Sequence, residues 1–493
     1  MPNHPDREYL QQLLREDLLS FIIRCFQIIA PRGRYLHNWH VEVMADQLQR
    51  CYHGETNRLI ITLPPRYLKS ICASVAFSAW LLGRQPNSRI ITACYSNELA
   101  GKHARDTKEI MTSDWFIEIF PNCRLDRRKI TETELTTTAG GFRLSTSVGG
   151  TLTGRGGDFI IVDDPLKADE AMSETKRNSV NQWLSNTVFS RLDDKKNGCI
   201  IVVTQRLHDD DLVGNLLNSG GDWIHLNLPA IAENDERFTL AMGQVVGRRR
   251  GEALHPDRES LETLEKIKRE LGSHAFSAQY QQNPIPVDGE LIKWEWFRFY
   301  DRPLERQAGD LIVLSFDTAS KAEQINDYSV CTVWLRRGNE HYLLDVQRRR
   351  LEFPALKRFV AQMTERYQPD AVLVEDAGSG TQLIQDLKER GQIRPIAITP
   401  EGDKLTRMYV QTPKIEAGYV LLPLSASWLE DFRTEVLQFP KGKHDDQVDS
   451  MSQYLAWRGT GQITSDMFIQ APNPFAEECD RELGLFDTSY SDW

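Results

Sequence analysis

The stretch L-I-I-T-L-P-P-R-Y-L-K-S, residues 59–70, decides the fold. Leu59 to Leu63 are apolar or β-branched and read as a buried strand. Pro64 and Pro65 end it, since neither can donate to a sheet ladder. Lys69-Ser70 then opens a helix expected over 71–82. Strand, tight loop, Lys-Ser, helix is the layout of a nucleotide-phosphate site. Backbone N–H groups and the helix N-terminus face the anion, the Lys reaches the terminal phosphates, and the Ser hydroxyl ligates Mg²⁺. The usual loop has Gly directly before the Lys and again five residues earlier. Leu68 and Leu63 hold those places here. Lys-Ser is also found as a plain helix cap, so this reading leans on the rest of the chain.

Working outward, Phe159 to Pro165 reads F-I-I-V-D-D-P, a buried run ending in two carboxylates. It is expected to be the strand beside the phosphate strand. Asp163 would hold Mg²⁺, and Asp164 stands where a base orients the attacking water. Asp164 has a shorter reach than the usual Glu. The alternative for Asp-Asp-Pro is a turn or cap. Cys199 to Arg206, C-I-I-V-V-T-Q-R, is a third strand. In ATP-driven motors the polar tip of this strand, here Thr204-Gln205, senses the γ-phosphate. Arg89 to Tyr95 is another buried strand, with a helix over 97–111. Residues 130–148 alternate as a hairpin around Gly140-Gly141. Gly149 to Gly157 is a glycine loop with Arg155 in its middle. A helix is expected over 174–192. Trp39 or His40 either lies against an adenine ring or packs in the core. Strands alternating with helices predict a parallel, doubly wound sheet with ligands at the strands' carboxyl ends.

Residues 233–307 read as a lid or connector. Beyond them, Leu311 to Asp317 is a buried strand ending in an acid. A hairpin across 336–339, a helix over 354–367, the strand Ala371 to Glu375, a helix, the strand Ile393 to Ile398 and helices follow. Three strands, helix, strand, helix, strand, helix is the order of the RNase H-like fold. Its chemistry needs acids on the first strand, on the fourth strand and at the start of the last helix. Those are Asp317, Glu375 and the cluster Asp445, Asp446 and Asp449. Gathered carboxylates repel unless cations sit between them. Two Mg²⁺ or Mn²⁺ ions can activate water and stabilise the leaving oxygen of a phosphodiester. Asp445 and Asp449 share a helix face, and which of the three ligate metal stays open. Asp327 is either a fourth ligand or a turn residue.

The chain has 493 residues, enough for two large domains or about three. Its composition is ordinary for a globular protein. The net charge of −11 argues against coating nucleic acid by bulk charge, but allows local basic tracks such as 248–250 and 348–350. The eight cysteines have no metal or redox spacing and are expected to be reduced core residues of a cytosolic protein. No early run is apolar and long enough for a membrane span.

The whole pattern resembles the large terminase subunit of tailed bacteriophages. The residues that carry the resemblance are Pro64-Pro65-Arg66 with Lys69-Ser70, Gly154-Arg155-Gly156, Asp163-Asp164-Pro165 and Thr204-Gln205-Arg206. Tyr280-Gln281-Gln282-Asn283-Pro284, Glu375 with Gly378 and Gly380, and His444-Asp445-Asp446-Gln447-Val448-Asp449 complete them. The resemblance implies an α/β chain with an N-terminal P-loop ATPase of the ASCE type and a C-terminal RNase H-like nuclease. The expected division is a helical segment 1–35, motor 36–232, lid 233–307, nuclease 308–458 and acidic tail 459–493. The implied cofactors are ATP and Mg²⁺, or Mn²⁺ in the nuclease. Residues Pro64, Pro65, Arg66, Tyr67, Leu68, Lys69, Ser70 and Thr204 would bind nucleotide. Ser70 and Asp163 would hold its metal. Asp164 and Arg155 would be catalytic, the latter as an arginine finger across a ring. Asp317, Glu375, Asp446 and Asp449 would be the nuclease ligands, with Asp445 a further candidate. The implied partners are double-stranded DNA, a portal on a procapsid, a small terminase subunit and further copies in a ring, with no membrane. The implied place is the host cytoplasm, docked transiently on the procapsid and absent from the mature virion. The rival readings are an ATP-dependent helicase or repair nuclease, and a non-catalytic descendant with eroded acids.

Overall fold

The computed structural model describes residues 5–459 except 151, 153, 242, 286–290, 303, 319–327, 391–392 and 443. Asp327 and nearly all of the acidic tail lie outside these residues. The described chain forms two units, one of residues 5–268 and 274–285, the other of 269–273 and 291–459.

Unit 1 is built on seven strands: β1 (Arg58–Thr62), β2 (Arg89–Cys94), β3 (Glu134–Thr136), β4 (Phe142–Ser147), β5 (Phe159–Asp163), β6 (Cys199–Thr204) and β7 (Ile224–Asn227). Their order is β3-β4-β2-β5-β6-β1-β7, parallel except for the β3–β4 hairpin. The central strands are apolar on both faces, as a sheet covered on both sides requires. One expectation is corrected. β5 does not lie beside β1; β6 is inserted between them, pairing Thr62 with Thr204 and Asp163 with Val203. Pairing order is a long-range property that strand sequences do not encode individually.

The helix after Lys69-Ser70 also departs from expectation. It begins as a π-helix, Ile71–Phe77, and becomes an α-helix only at Ser78–Arg84. π-turns of this kind cluster at functional sites. The expected helix 174–192 is likewise three pieces, Glu174–Trp183, a π-turn Leu184–Val188 and a 3₁₀ turn Phe189–Arg191.

Within 233–307, a short hairpin of β8 (Glu236–Thr239) and β9 (Val245–Arg248) belongs to unit 1. Arg248 is buried there and pairs with Glu236 at 2.8 Å, so the basic run 248–250 is not a continuous solvent face. The Tyr280-Gln281-Gln282 motif is a clamp. The Gln281 side chain bonds both the N–H and the C=O of Ile231, and Gln282 Oε1 accepts from Arg206 N–H at 2.8 Å. Arg206 in turn donates to both oxygens of Asp211, at 3.0 and 2.9 Å, with both side chains buried. Arg206→Met is therefore expected to destabilise unit 1 by about 3–5 kcal/mol, because it strands a buried carboxylate. Thermal unfolding of the unit 1 transition checks this; a shift under about 1 kcal/mol sinks it.

Unit 2 has strands β10 (Arg298–Tyr300), β11 (Leu311–Asp317), β12 (Ser329–Arg337), β13 (Glu340–Arg349), β14 (Ala371–Glu375), β15 (Pro395–Ile398) and β16 (Val420–Pro423). Their order is β10-β16-β13-β12-β11-β14-β15, with β12 antiparallel to both neighbours. β11 to β15 supply the five expected strands. β16 and β10 extend the edge and were not foreseen; β16 has only four residues and no periodicity to read. Side chains alternate across the sheet. Val313 and Leu373 enter one core beneath helices Leu429–Gln438 and Asp446–Ala456, while Leu314, Phe316 and Val374 enter the other beneath Phe353–Tyr367. The seven described cysteines are free and buried, as expected of core residues. No described helix is long and apolar enough to cross a membrane.

Candidate functional sites

The loop after β1 supplies the first site. Arg66 and Leu68 are left-handed, with φ of 68° and 64°. Each costs about 1–2 kcal/mol in an L-residue. The loop is held in place from outside: Tyr67 is buried and its hydroxyl donates to Glu259 at 2.8 Å, and Leu68 packs on the main core. The loop thus keeps left-handed backbone where a glycine usually stands. Alternating handedness of this type turns successive N–H groups towards one anion. Pro64 is buried, Pro65 half-buried and Arg66 exposed at the rim.

At the end of β5, Asp163 is completely buried. Ser70 Oγ donates to its Oδ1 at 2.9 Å and Ser74 Oγ to its Oδ2 at 2.6 Å. His103 Nδ1 lies 3.6 Å from Oδ2, and Cys94 Sγ lies 3.7 Å from the same imidazole nitrogen. Burial pushes His103 down to about 3, so it is neutral. Burial first, then the Asp164 charge, pushes Asp163 up to about 7. Lys69, 6% exposed, places Nζ 3.4 Å from Asp164 Oδ2. Asp164 is itself left-handed, φ 43°, and its Oδ1 accepts from Gln205 N–H at 3.3 Å. Thr204 donates to the Gln205 carbonyl at 2.9 Å, while the buried Gln205 Oε1 has no partner among the described residues. Lys69, Ser70, Asp163, Asp164 and Thr204 therefore come together. Arg155 sits elsewhere, at the sheet edge, donating to Glu134 at 2.8 Å and stacking over Phe142. His40 is buried edge-on to Tyr67, and Trp39 stacks on Phe238.

The raised pKa of Asp163 fixes a sign. Between about 4 and 7 the folded state keeps a proton that the unfolded chain releases, so unit 1 loses stability as pH rises through that window. A cation on Asp163 must displace that proton. Stabilisation by Mg²⁺ with a non-hydrolysable ATP analogue is expected to grow from pH 5 to about pH 8, read by thermal melts. A Mg²⁺ effect constant across that range sinks this assignment.

The second site lies where β11, β14 and the helix Asp446–Ala456 converge. That helix is stapled to β11 by polar bonds. Ser315 Oγ donates to Ser450 C=O and Ser450 Oγ to Ser315 C=O, both at 2.8 Å, and Gln453 donates to Ser315 Oγ at 3.0 Å. Its N-terminus is capped by Glu435, which accepts from Gln447 N–H at 2.6 Å and Val448 N–H at 3.3 Å. Asp317 is thereby brought against Asp449, Glu375 and Asp446. Burial, then those three charges in that order, raise Asp317 well above the usual carboxylate range. Asp446 is pushed up to about 6, mainly by burial. Asp445 instead faces Lys404, 2.7 Å away.

Two residues that contact the cluster were missed from sequence. Lys404 Nζ also lies 2.7 Å from Asp449 Oδ2, and Arg407 Nη2 donates to Asp449 Oδ1 at 3.1 Å and lies 3.9 Å from Glu375 Oε2. Their signal was a Lys and an Arg three apart on one short helix, Lys404–Tyr409, which no motif marks. Five carboxylates against these two cations leave an excess of negative charge. A hard, all-oxygen donor set of this charge fits Mg²⁺ or Mn²⁺.

Fold and sites together define a two-site α/β protein, a phosphate-loop unit and an RNase H-like unit with a carboxylate cluster. Residues 314–456 match the family model of the terminase RNaseH-like domain. No curated protein matches the sequence. Among solved structures, the large terminase of the thermophilic bacteriophage D6E superposes with a TM-score of 0.50 at 11% identity, over 83% of this chain and 97% of that one. The HK97 bacteriophage large terminase matches with a TM-score of 0.37 at 11% identity, over 90% and 99%. The large terminase nuclease of thermophilic phage G20c, crystallised with magnesium, matches with a TM-score of 0.28 at 14% identity, over 34% and 98%. The match over residues 314–456 agrees with the expected RNase H-like domain, and the fold shared with solved large terminases agrees with the resemblance read from the motifs.

Proposed function

We propose that this chain is a phage DNA-packaging subunit that hydrolyses ATP in unit 1 to drive double-stranded DNA into a procapsid, and cuts concatemeric DNA in unit 2. The observation that carries this reading is the pairing, in one chain, of Lys69 and Ser70 against Asp163 and Asp164 with the Asp317–Glu375–Asp446–Asp449 cluster. In unit 1, Lys69 and the loop N–H groups hold the phosphates of ATP. Ser70 and Asp163 hold its Mg²⁺, which would offset phosphate charge when bound. Asp164, at the mouth of the loop, orients the attacking water, and Thr204 reports the γ-phosphate state along β6. Arg66, exposed at the rim, is placed to meet developing charge. Arg155, paired with Glu134 within the chain, serves as a finger only towards a neighbouring copy in a ring.

In unit 2, Asp317, Glu375, Asp446 and Asp449 hold two divalent ions, which when bound supply a nucleophilic water and stabilise the leaving oxygen. Asp445 anchors Lys404. A portal, a small terminase subunit and further copies are the assembly partners, in the host cytoplasm on the procapsid. The helicase rival calls for a second motor domain, which is not found among the described residues.

Purified chain assayed for ATP hydrolysis and plasmid cleavage with Mg²⁺ or Mn²⁺ tests the proposal. Both activities are expected. Cleavage with no ATP hydrolysis, even with DNA present, would mean that Leu68 has disabled the loop and that the packaging reading fails.

A further inference from the structure

We infer that Lys404 and Arg407 are internal counter-ions of the nuclease cluster, and that a divalent metal reaches Asp449 by displacing them. This rests on the nuclease reading above and deepens it.

Asp449 is 3% exposed, yet both of its oxygens are occupied, Oδ2 by Lys404 at 2.7 Å and Oδ1 by Arg407 at 3.1 Å. Lys404 bridges onward to Asp445 at 2.7 Å, and Arg407 reaches towards Glu375 at 3.9 Å. The two cations thus span three of the five carboxylates. Their helix is anchored independently of them. Asp403 caps it, accepting from Thr406 N–H at 2.7 Å, and Met408 is fully buried in the core. The helix can therefore stay in place while its cationic side chains move. Lys404 is about half exposed, with a flexible stem and a route to solvent.

An ammonium 2.7 Å from Asp449 Oδ2 and a guanidinium 3.1 Å from Oδ1 compete for both oxygens with a metal that would bind at about 2.1 Å. Like charges cannot crowd one buried carboxylate, so the metal enters as the cations leave. Without metal, Lys404 and Arg407 relieve the repulsion that would otherwise drive the acids apart or protonate them. With metal, they are released, and the freed cations face a cluster that a DNA phosphate must approach. Metal affinity is accordingly reduced by the strength of the ion pairs that must be broken.

Calorimetric titration of the full chain with Mn²⁺, without DNA, tests this. Lys404→Met keeps the apolar stem and removes the charge. It is expected to tighten Mn²⁺ binding about tenfold or more, the scale of a charge-assisted bond. Lys404→Arg should bind near the wild-type value, and Arg407→Met should shift in the same direction as Lys404→Met. Mn²⁺-dependent thermal melts of the same proteins give a second readout if a variant is less stable without metal; the rise in melting temperature with Mn²⁺ should be larger in Lys404→Met. Unchanged or weaker Mn²⁺ affinity in Lys404→Met overturns the inference and leaves these residues a purely structural or substrate-side role. If wild type binds no more Mn²⁺ than Asp317→Asn, the metal-nuclease reading itself fails, and the inference with it.

Discussion

Asp317→Asn is expected to lower DNA cleavage by at least about a hundredfold while leaving ATP hydrolysis unchanged. Outer partners of metal ligands are typically worth about 10–100-fold, so a direct ligand should reach at least the upper end. Asp317 closes β11, the strand from which the rest of the cluster is arranged, and Asn keeps its size while losing its charge. The substitution also carries a stability signature. Asp317 is raised by burial and by the charges of Asp449, Glu375 and Asp446, so its ionised form is unfavourable in the metal-free fold. Removing that charge should raise the melting temperature of metal-free protein. Loss of cleavage with a higher melting temperature marks a functional carboxylate held against its own stability. Cleavage within about tenfold of wild type, or a loss explained by a lower melting temperature, would falsify the assignment.

The second large effect is expected of Lys69→Ala, which should reduce ATP hydrolysis by about 10²–10³-fold and leave plasmid cleavage intact. That is the scale for removing one preorganised group that stabilises transition-state charge. Lys69 is nearly buried, and Asp164 is 3.4 Å from its ammonium. Ala would leave that carboxylate without its cation and the γ-phosphate without its counter-charge. Lys69→Arg is expected to fail as well, because a planar guanidinium is not a substitute for a compact ammonium in a closed site. Hydrolysis within about threefold of wild type in Lys69→Ala removes the phosphate site from this loop.

Leu68 is a motif departure that was legible in the sequence, while the means by which the fold accommodates it was not. The sequence has no glycine where the loop turns left-handed. In the fold, Leu68 adopts a φ of 64° all the same, with Tyr67 bonded to Glu259 and Leu68 itself packed on the core. The conformational strain is met by contacts from residues far along the chain. The same holds for the run Arg248-Arg249-Arg250. As sequence it is a basic track; in the fold Arg248 is buried against Glu236, twelve residues away across a hairpin.

What the sequence determined by itself was local. Apolar runs bounded by prolines, glycines and acids marked β1, β5, β6, β11 and β14. Asp163, Asp317 and Glu375 were each legible as the acid closing a strand, because strand period and turn chemistry act over a few residues. Tertiary structure alone decided the order of the strands, with β6 between β1 and β5. It alone recruited Lys404, Arg407 and Glu435 to the second cluster. Lys404 and Arg407 meet Asp449 from more than 40 residues away and Glu435 meets Gln447 from 12, and the free energy that sets such meetings is charge and burial summed in three dimensions. No short pattern records that sum, and for that reason the clustered acids were readable in the sequence while the cations paired with them were not.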